Sequence, residues 1–278
     1  MNNFIKAKQS ASIRINQKIH ELKKKGKKTT ILSLGEAFFK LPDFGIKKVF
    51  SDGHHYSDSK GLVLLRKKLC QYYLKYGAKI NYKNEIIISA GSKILTFMTF
   101  MLLLKKNDEV LALDPSWLSY EDQLKLIGAK IKYIPIFEQI KNFKKYKTNK
   151  TKLLILNNPN NPSGVFFDKN KLKEIYDFCK KNKIYILSDE AYSDFIPKNK
   201  KFFSMASFDK SKKNIIVVNS ISKNFGMSGW RIGYVISNKY LMEQFLILNQ
   251  QLITCAPTIL QTYISRYFNK ILNNNKSE

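Results

Sequence analysis

Arginine is scarce in this chain: Arg14, Arg66, Arg231 and Arg266 are the only ones among 49 basic residues. That scarcity qualifies a formal charge of +28 at pH 7, which would otherwise suggest a polyanionic partner held through counterion release. Sequence-specific readers of nucleic acid lean on the bidentate arginine fork. Here the positive charge is lysine, scattered as at Lys171, Lys173, Lys180 and Lys181 or gathered in short stretches at 23–28 and 141–150, which read as solvated helix faces and loops. With asparagine also abundant, the charge reads as compositional bias, and neither nucleic acid nor membrane is expected as a partner. Cysteine is equally sparse. Cys70, Cys179 and Cys255 lie far apart and without metal-ligand spacing, so no metal site or disulfide framework is expected, and the thiols read as buried or inert in a reducing compartment. Long apolar runs are missing too. The N-terminus, MNNFIKAKQS, has no apolar core, and the longest apolar run, Ile94 to Leu104, is well short of the roughly 20 residues that span a bilayer. A soluble, cytoplasmic protein is the expectation.

What is present is an alternation of apolar strands and helical patterns, in a chain of 278 residues that can bury a large core. Strands are predicted at Glu85–Ser89, Val110–Leu113, Ile131–Ile136, Leu153–Leu156, Ile184–Leu187, Ile215–Val218 and Gly233–Ile236. Their near-continuous apolar character predicts a mostly parallel sheet covered on both faces, a three-layer α/β/α fold. No internal repeat or low-complexity tract interrupts it.

Five of these strands run directly into polar or small residues, and in an open α/β sheet the carboxyl edge is where ligands bind. Ala90-Gly91-Ser92-Lys93 opens a helix, whose first backbone N–H groups suit a phosphate, with glycine permitting close approach. Asp114-Pro115-Ser116-Trp117 places an indole at the edge, suited either to stacking on a flat cofactor or to core packing. Asn157 to Gly164, NNPNNPSG, holds two Asn-Pro steps, and proline restricts the residue before it to extended geometry, so a rigid turn should present an asparagine amide. Ser188-Asp189-Glu190-Ala191-Tyr192 puts a carboxylate at a strand tip; it can pair with a protonated ring nitrogen or cap a helix, and Tyr192 can bond a phenolic oxygen.

The fifth is Asn219 to Tyr234, NSISKNFGMSGWRIGY. Lys223 follows a buried strand expected to end at Asn219. A lysine amine is a nucleophile only where burial or a neighbouring cation favours its neutral form, and Arg231 is such a cation. Ser220, Ser222 and Arg231 together make a plausible phosphate cradle beside it.

Taken in order, NNPNNPSG, SDEAY and SISKNFGMSGWRIGY resemble the fold type I pyridoxal-phosphate-dependent aminotransferases, class I and II, the aspartate-aminotransferase-like group. The resemblance covers Ser10 to Gln261, with supporting matches at Ile31–Glu36, His55–Leu69 and the run ending at Tyr120. It implies pyridoxal 5'-phosphate as cofactor and a Schiff base on Lys223, which would also move the protons. Asp189 would hold the ring nitrogen protonated, Asn161 and Tyr192 the phenolic oxygen, and Trp117 would stack on the ring. Gly91, Ser92, Lys93, Ser220, Ser222 and Arg231 would hold the phosphate. The resemblance further implies a homodimer in which Tyr56 reaches the neighbouring site, and a substrate pocket bordered by Gly35, Trp117 and Asn161. The substrates implied are an amino acid and a 2-oxo acid.

On the same resemblance, 1–34 is an N-terminal segment, 35–270 the cofactor-binding large domain and 271–278 a polar tail. The family's C-terminal small domain, with its carboxylate-binding arginine, is expected to be largely absent. Ala37-Phe38 stands where the family commonly has Pro-Asp, and the loop after Ile136 is short. Amino transfer is the leading expectation. A β-lyase or aminocyclopropane-carboxylate-synthase-like elimination on the same cofactor, and a truncated non-catalytic cofactor-binding remnant, are the alternatives.

Overall fold

A computed structural model of the chain describes residues 11–28, 30, 53 and 55–277. Gly35, the Ile31–Glu36 match and the Ala37-Phe38 pair lie outside the described residues. After an N-terminal helix α1 (Ala11–Lys24), seven strands form one sheet: β1 (Ile86–Ser89), β2 (Glu109–Asp114), β3 (Lys130–Pro135), β4 (Thr151–Asn157), β5 (Tyr185–Asp189), β6 (Ile215–Ser220) and β7 (Gly233–Ile236), in spatial order β1-β7-β6-β5-β4-β2-β3. All seven predicted strands are present. From β6 to β3 every pairing is parallel, whereas β7 runs antiparallel to both β1 and β6.

The central strands bury both faces, and their side chains alternate between two cores as the two-residue strand period requires. On β6, Ile215 and Val217 face one core while Ile216 and Val218 face the other; on β4, Leu154 and Leu156 oppose Leu153 and Ile155. The first core is closed by α2 (Val63–Leu74), α5 (Lys169–Lys181) and α8 (Thr258–Ser277), through Leu65, Leu69, Tyr73, Leu172, Tyr176, Ile264 and Phe268. The second is closed by α3 (Ser92–Leu103), α4 (Ser119–Ile127) and α7 (Lys239–Leu252), through Leu95, Met98, Tyr120, Leu124, Leu241 and Phe245. A one-turn helix, α6 (Ile221–Asn224), follows β6 directly.

Local chemistry sets the helix ends. Asp168 caps α5, its carboxylate accepting from the Lys171 N–H at 3.0 Å, and the helix then buries Leu172, Ile175, Tyr176 and Cys179 at the i, i+3, i+4, i+7 spacing of one face. Asn238 caps α7 in the same way, accepting from Leu241. Gly128 ends α4 at φ 73°, the left-handed closure that glycine adopts freely. Cys70 and Cys179 are buried free thiols, as expected, and burial pushes the Cys70 thiol up to about 12. Cys255 is only half-buried. Among the described residues, no helix is long and apolar enough to cross a membrane.

Candidate active site

Because β2, β4, β5 and β6 are parallel, their last residues, Asp114, Asn157, Asp189 and Ser220, fall on one edge of the sheet. The antiparallel β7 begins where these end: Gly233 pairs with both Ser89 and Ser220. Arg231, two residues earlier, is thereby delivered to the same edge.

Asp189 is the electrostatic centre of this edge. Its side chain is buried, accepts the Tyr120 hydroxyl at 2.6 Å and accepts the Ala191 N–H at 3.1 Å. Its backbone carbonyl takes the Asn157 amide and the Asn158 N–H, both at 3.0 Å, which ties the tips of β4 and β5 together. Burial raises the Asp189 pKa, while the Tyr120 and Ala191 hydrogen bonds and the positive charge of Lys223 pull it back. A buried carboxylate so held is complemented by a cationic donor brought in by a ligand. The N-cap alternative fails for a structural reason: turns rather than a helix follow Asp189.

Lys223 sits on the single turn of α6, with Nζ 5.9 Å from the centre of the Tyr192 ring. The Tyr192 hydroxyl is 3.3 Å from the Asn161 side-chain amide, which donates to it. Burial, with Asp189 close by, pushes the Tyr192 phenol up to about 12, against the stabilising Asn161 bond, so this phenol remains a donor at neutral pH. The Asn161 backbone is itself fixed by Asn157 Oδ1 at 2.6 Å. The Asn158-Pro159 and Asn161-Pro162 peptides are both cis. Trp117 is half-buried and stands edge-on to Tyr120, with centroids 5.2 Å apart at 89°. It packs against the edge of the second core while keeping part of its ring exposed.

The candidate anion cradle lies at the start of α3. Gly91 has φ 89° and ψ 163°, a region open essentially to glycine alone. A Cβ there would come within 2.4 Å of Arg231 Nη2, so the guanidinium lies directly against Gly91 at the head of the helix. Arg231 has the left-handed backbone of φ 53° and ψ 48°, and its Nη1 donates to the Ser228 carbonyl at 2.7 Å. Gly233 is fitted even more tightly: a Cβ would meet Gly91 C at 2.4 Å and Ser92 N at 2.5 Å. The Ser220 hydroxyl accepts from the Ser222 N–H at 3.3 Å and so caps α6.

Lys93 follows Ser92 at the helix start, and its ammonium stands 5.0 Å over the Trp117 ring. Desolvation, then the Arg231 charge, lowers its pKa, with Asp122 opposing. Tyr56 is 86% exposed, on an open groove of about 780 Å³ lined also by His55 and Cys255 to Ile259. Tyr120, Asn157 and Glu190 were not anticipated. Tyr120 carried one available signal, its place three residues after Trp117 at the start of a helix.

The sheet and the groups along its edge define the large-domain fold of a vitamin-B6-type transferase, and the sequence matches the family described as Aminotransferase class I and II over residues 21–277. The chain belongs to that family, whose members use pyridoxal phosphate, and it is an aminotransferase by that membership. It is 35% identical over 266 residues to a probable aspartate/prephenate aminotransferase of Aquifex aeolicus, covering 91% of this chain and 67% of that one. It is 37% identical over 257 residues to the (5-formylfuran-3-yl)methyl phosphate transaminase of Methanocaldococcus jannaschii, covering 90% and 67%. The chain thus spans about two thirds of the length of these relatives. Among solved structures, aspartate aminotransferase from Thermus thermophilus with maleate superposes with a TM-score of 0.90 at 25% identity, over 100% of this chain and 75% of that one.

Proposed function

We propose that this chain binds pyridoxal 5'-phosphate through Lys223 and uses it to move an amino group between an amino acid and a 2-oxo acid. The observation that carries the reading is the buried Asp189 carboxylate, buttressed by Tyr120, on the same sheet edge as Lys223 and the Asn161–Tyr192 pair. The fit is chemical as well as spatial. A pyridinium N–H is the donor that Asp189 calls for, a phenolic oxygen suits the Asn161 amide and Tyr192 hydroxyl, and a phosphate dianion suits the Gly91–Ser92 helix start with Arg231 and the Ser220 and Ser222 hydroxyls. When bound, the cofactor supplies an electrophilic carbonyl and an electron-withdrawing ring. The chain's own part is to orient it, with Trp117 walling one side, and to hold and return a proton on Lys223 Nζ.

The relatives are named for transamination, which favours amino transfer over elimination on the same cofactor. We assign residues 35–270 to the cofactor-binding domain, with Gly35 at its start bordering the substrate, 1–34 to an N-terminal segment and 271–278 to a polar tail. A homodimer, in which the exposed Tyr56 reaches the neighbouring phosphate, gives that side chain a role, and the three free thiols suit the cytoplasm.

A single-turnover experiment tests the proposal. Protein loaded with the cofactor and mixed with an amino acid should lose its visible absorbance and release the matching 2-oxo acid, and a second 2-oxo acid should restore the absorbance. Release of pyruvate or a thiol with no need of an acceptor would instead support elimination. No spectral response to any amino acid would contradict the reading.

A further inference from the structure

Behind the proposed site, on the opposite side of the β5–β6 tips from the ring contacts, lies a buried polar layer to which the reaction assigns no part. Asn219 is completely buried: its Nδ2 donates to Tyr73 Oη at 3.0 Å and Ser193 Oγ at 3.3 Å, and its Oδ1 accepts from the Ser220 N–H at 2.7 Å. Asn224 mirrors it from the other flank of Lys223, donating to the same Ser193 Oγ at 2.8 Å while its Oδ1 accepts the Asp194 N–H at 3.2 Å. The turn carrying Ser220, Ser222 and Lys223 is therefore clamped at both ends by amides that share one serine.

Tyr73, on α2, connects this clamp to Glu190, the residue that follows Asp189. Glu190 is fully buried, and its Oε1 accepts from Ser188 Oγ at 3.1 Å, Ser204 Oγ at 3.0 Å and the Met205 N–H at 2.9 Å. Its Oε2 and the Tyr234 hydroxyl have no hydrogen-bond partner among the described residues. Both lie close enough to Tyr73 for each to influence its ionisation. Tyr73 accepts from Asn219 and keeps its own proton to give; the two unpartnered oxygens beside it are the available acceptors. Buried polar groups left in this state are costly unless the arrangement is held for a purpose.

We propose that Glu190 is a positioning residue for Lys223, acting through the Tyr73 hydroxyl and Asn219 to set the orientation and charge environment of the lysine turn. The inference rests on the proposed cofactor chemistry at Lys223. The titratable groups facing Glu190 are Tyr73 of α2 and Tyr234 of β7, with Asp194 and Cys70 beyond them. Burial keeps both phenols neutral through the working range. Glu190 is thus the group in this layer whose charge changes near neutrality, its pKa raised by burial to about 7.

The test is a pH titration of the visible absorbance of cofactor-loaded protein, comparing wild type with Glu190→Gln, Tyr73→Phe and the double variant, each checked by its melting temperature. Removing the carboxylate removes negative charge near Lys223, so the midpoint of Glu190→Gln should fall by about half a pH unit, roughly a threefold change in the ionisation constant. Tyr73→Phe should also move it, and the double variant should move it no further than the larger single change, because the two act along one path. Midpoints equal to wild type in both folded single variants would overturn the proposal and leave Glu190 a structural group. Should Glu190→Gln not fold, a wild-type midpoint in Tyr73→Phe overturns it alone. A wild type that shows no visible band with the cofactor would instead bring down the functional reading on which the inference stands.

Discussion

Two glycines packed directly against each other should fail in different ways when given a methyl group. At Gly91 the added Cβ would lie 2.4 Å from Arg231 Nη2, the far end of a flexible side chain, so the guanidinium can swing aside. The backbone at φ 89°, ψ 163° still penalises alanine, by about 1–3 kcal/mol, which in a chain of this size lowers the melting temperature by roughly 2–10 °C. The displaced Arg231 no longer meets the anion at the start of α3. A charge-assisted hydrogen bond contributes about 1.5–3 kcal/mol, so Gly91→Ala should weaken pyridoxal phosphate binding by roughly tenfold to a hundredfold. At Gly233 the same methyl would sit 2.4 Å from Gly91 C and 2.5 Å from Ser92 N, both backbone atoms held by β7 and α3. Nothing there can swing aside, so Gly233→Ala should chiefly lose fold, through the overpacking route. The assays are a thermal melt of the cofactor-free protein and a fluorescence titration with the cofactor. Gly91→Ala with wild-type affinity, or with a melt as damaged as that of Gly233→Ala, would refute the placement of Arg231 in the cradle.

Glu190 also predicts a pH signature in stability. Its folded pKa, raised by burial from 4.5 to about 7, favours the protonated form in the native state. Stability from this group is therefore full below pH 4.5, falls as pH rises from 4.5 to 7, and is lost above that, by about 3 kcal/mol. The melting-temperature advantage of Glu190→Gln over wild type should grow across that window by on the order of 5 °C; a constant offset would contradict it. Tyr120→Phe removes the 2.6 Å donor to Asp189 and should raise that carboxyl further, so cofactor binding should weaken more in acid, where the variant's carboxylate is protonated first, than at neutral pH, as titration calorimetry at two pH values would show. Tyr56→Phe should cost about tenfold in cofactor affinity, and dilution of wild type to monomers should reproduce that loss; equal affinity in the monomer would remove the case for a shared site.

Strand existence was legible because each strand is a compact apolar run ending in polar residues, and Ile215–Val218 or Leu153–Leu156 admit few other readings. Their ends were less so: β6 continues to Ser220 because Ser220 pairs with Gly233 across the sheet, a partner no local pattern contains. Strand direction was hidden for the same reason. Gly233–Ile236 reads like its neighbours, yet it is antiparallel, and that reversal is what brings Arg231 to Gly91. Asp189, Asn161 and Tyr192, the proposed ring contacts, stood out through their motifs. Tyr120 did not, since its bond to Asp189 joins residues 69 apart. Glu190 was hidden behind Asp189: successive strand residues point to opposite faces, and only the packing of α2 shows what the second carboxyl meets. The Lys93 ammonium over the Trp117 ring was likewise not legible, since it joins residues of two different strand–helix connections.

The central claim is that one lysine among many is the covalent anchor. Protein mixed with one equivalent of pyridoxal phosphate, reduced with borohydride and digested, should carry the cofactor's mass on the peptide containing Lys223, one label per chain, and Lys223→Ala should leave no lysine specifically labelled. Label spread over surface lysines such as those at 141–150, with Lys223 unmodified, would contradict the account.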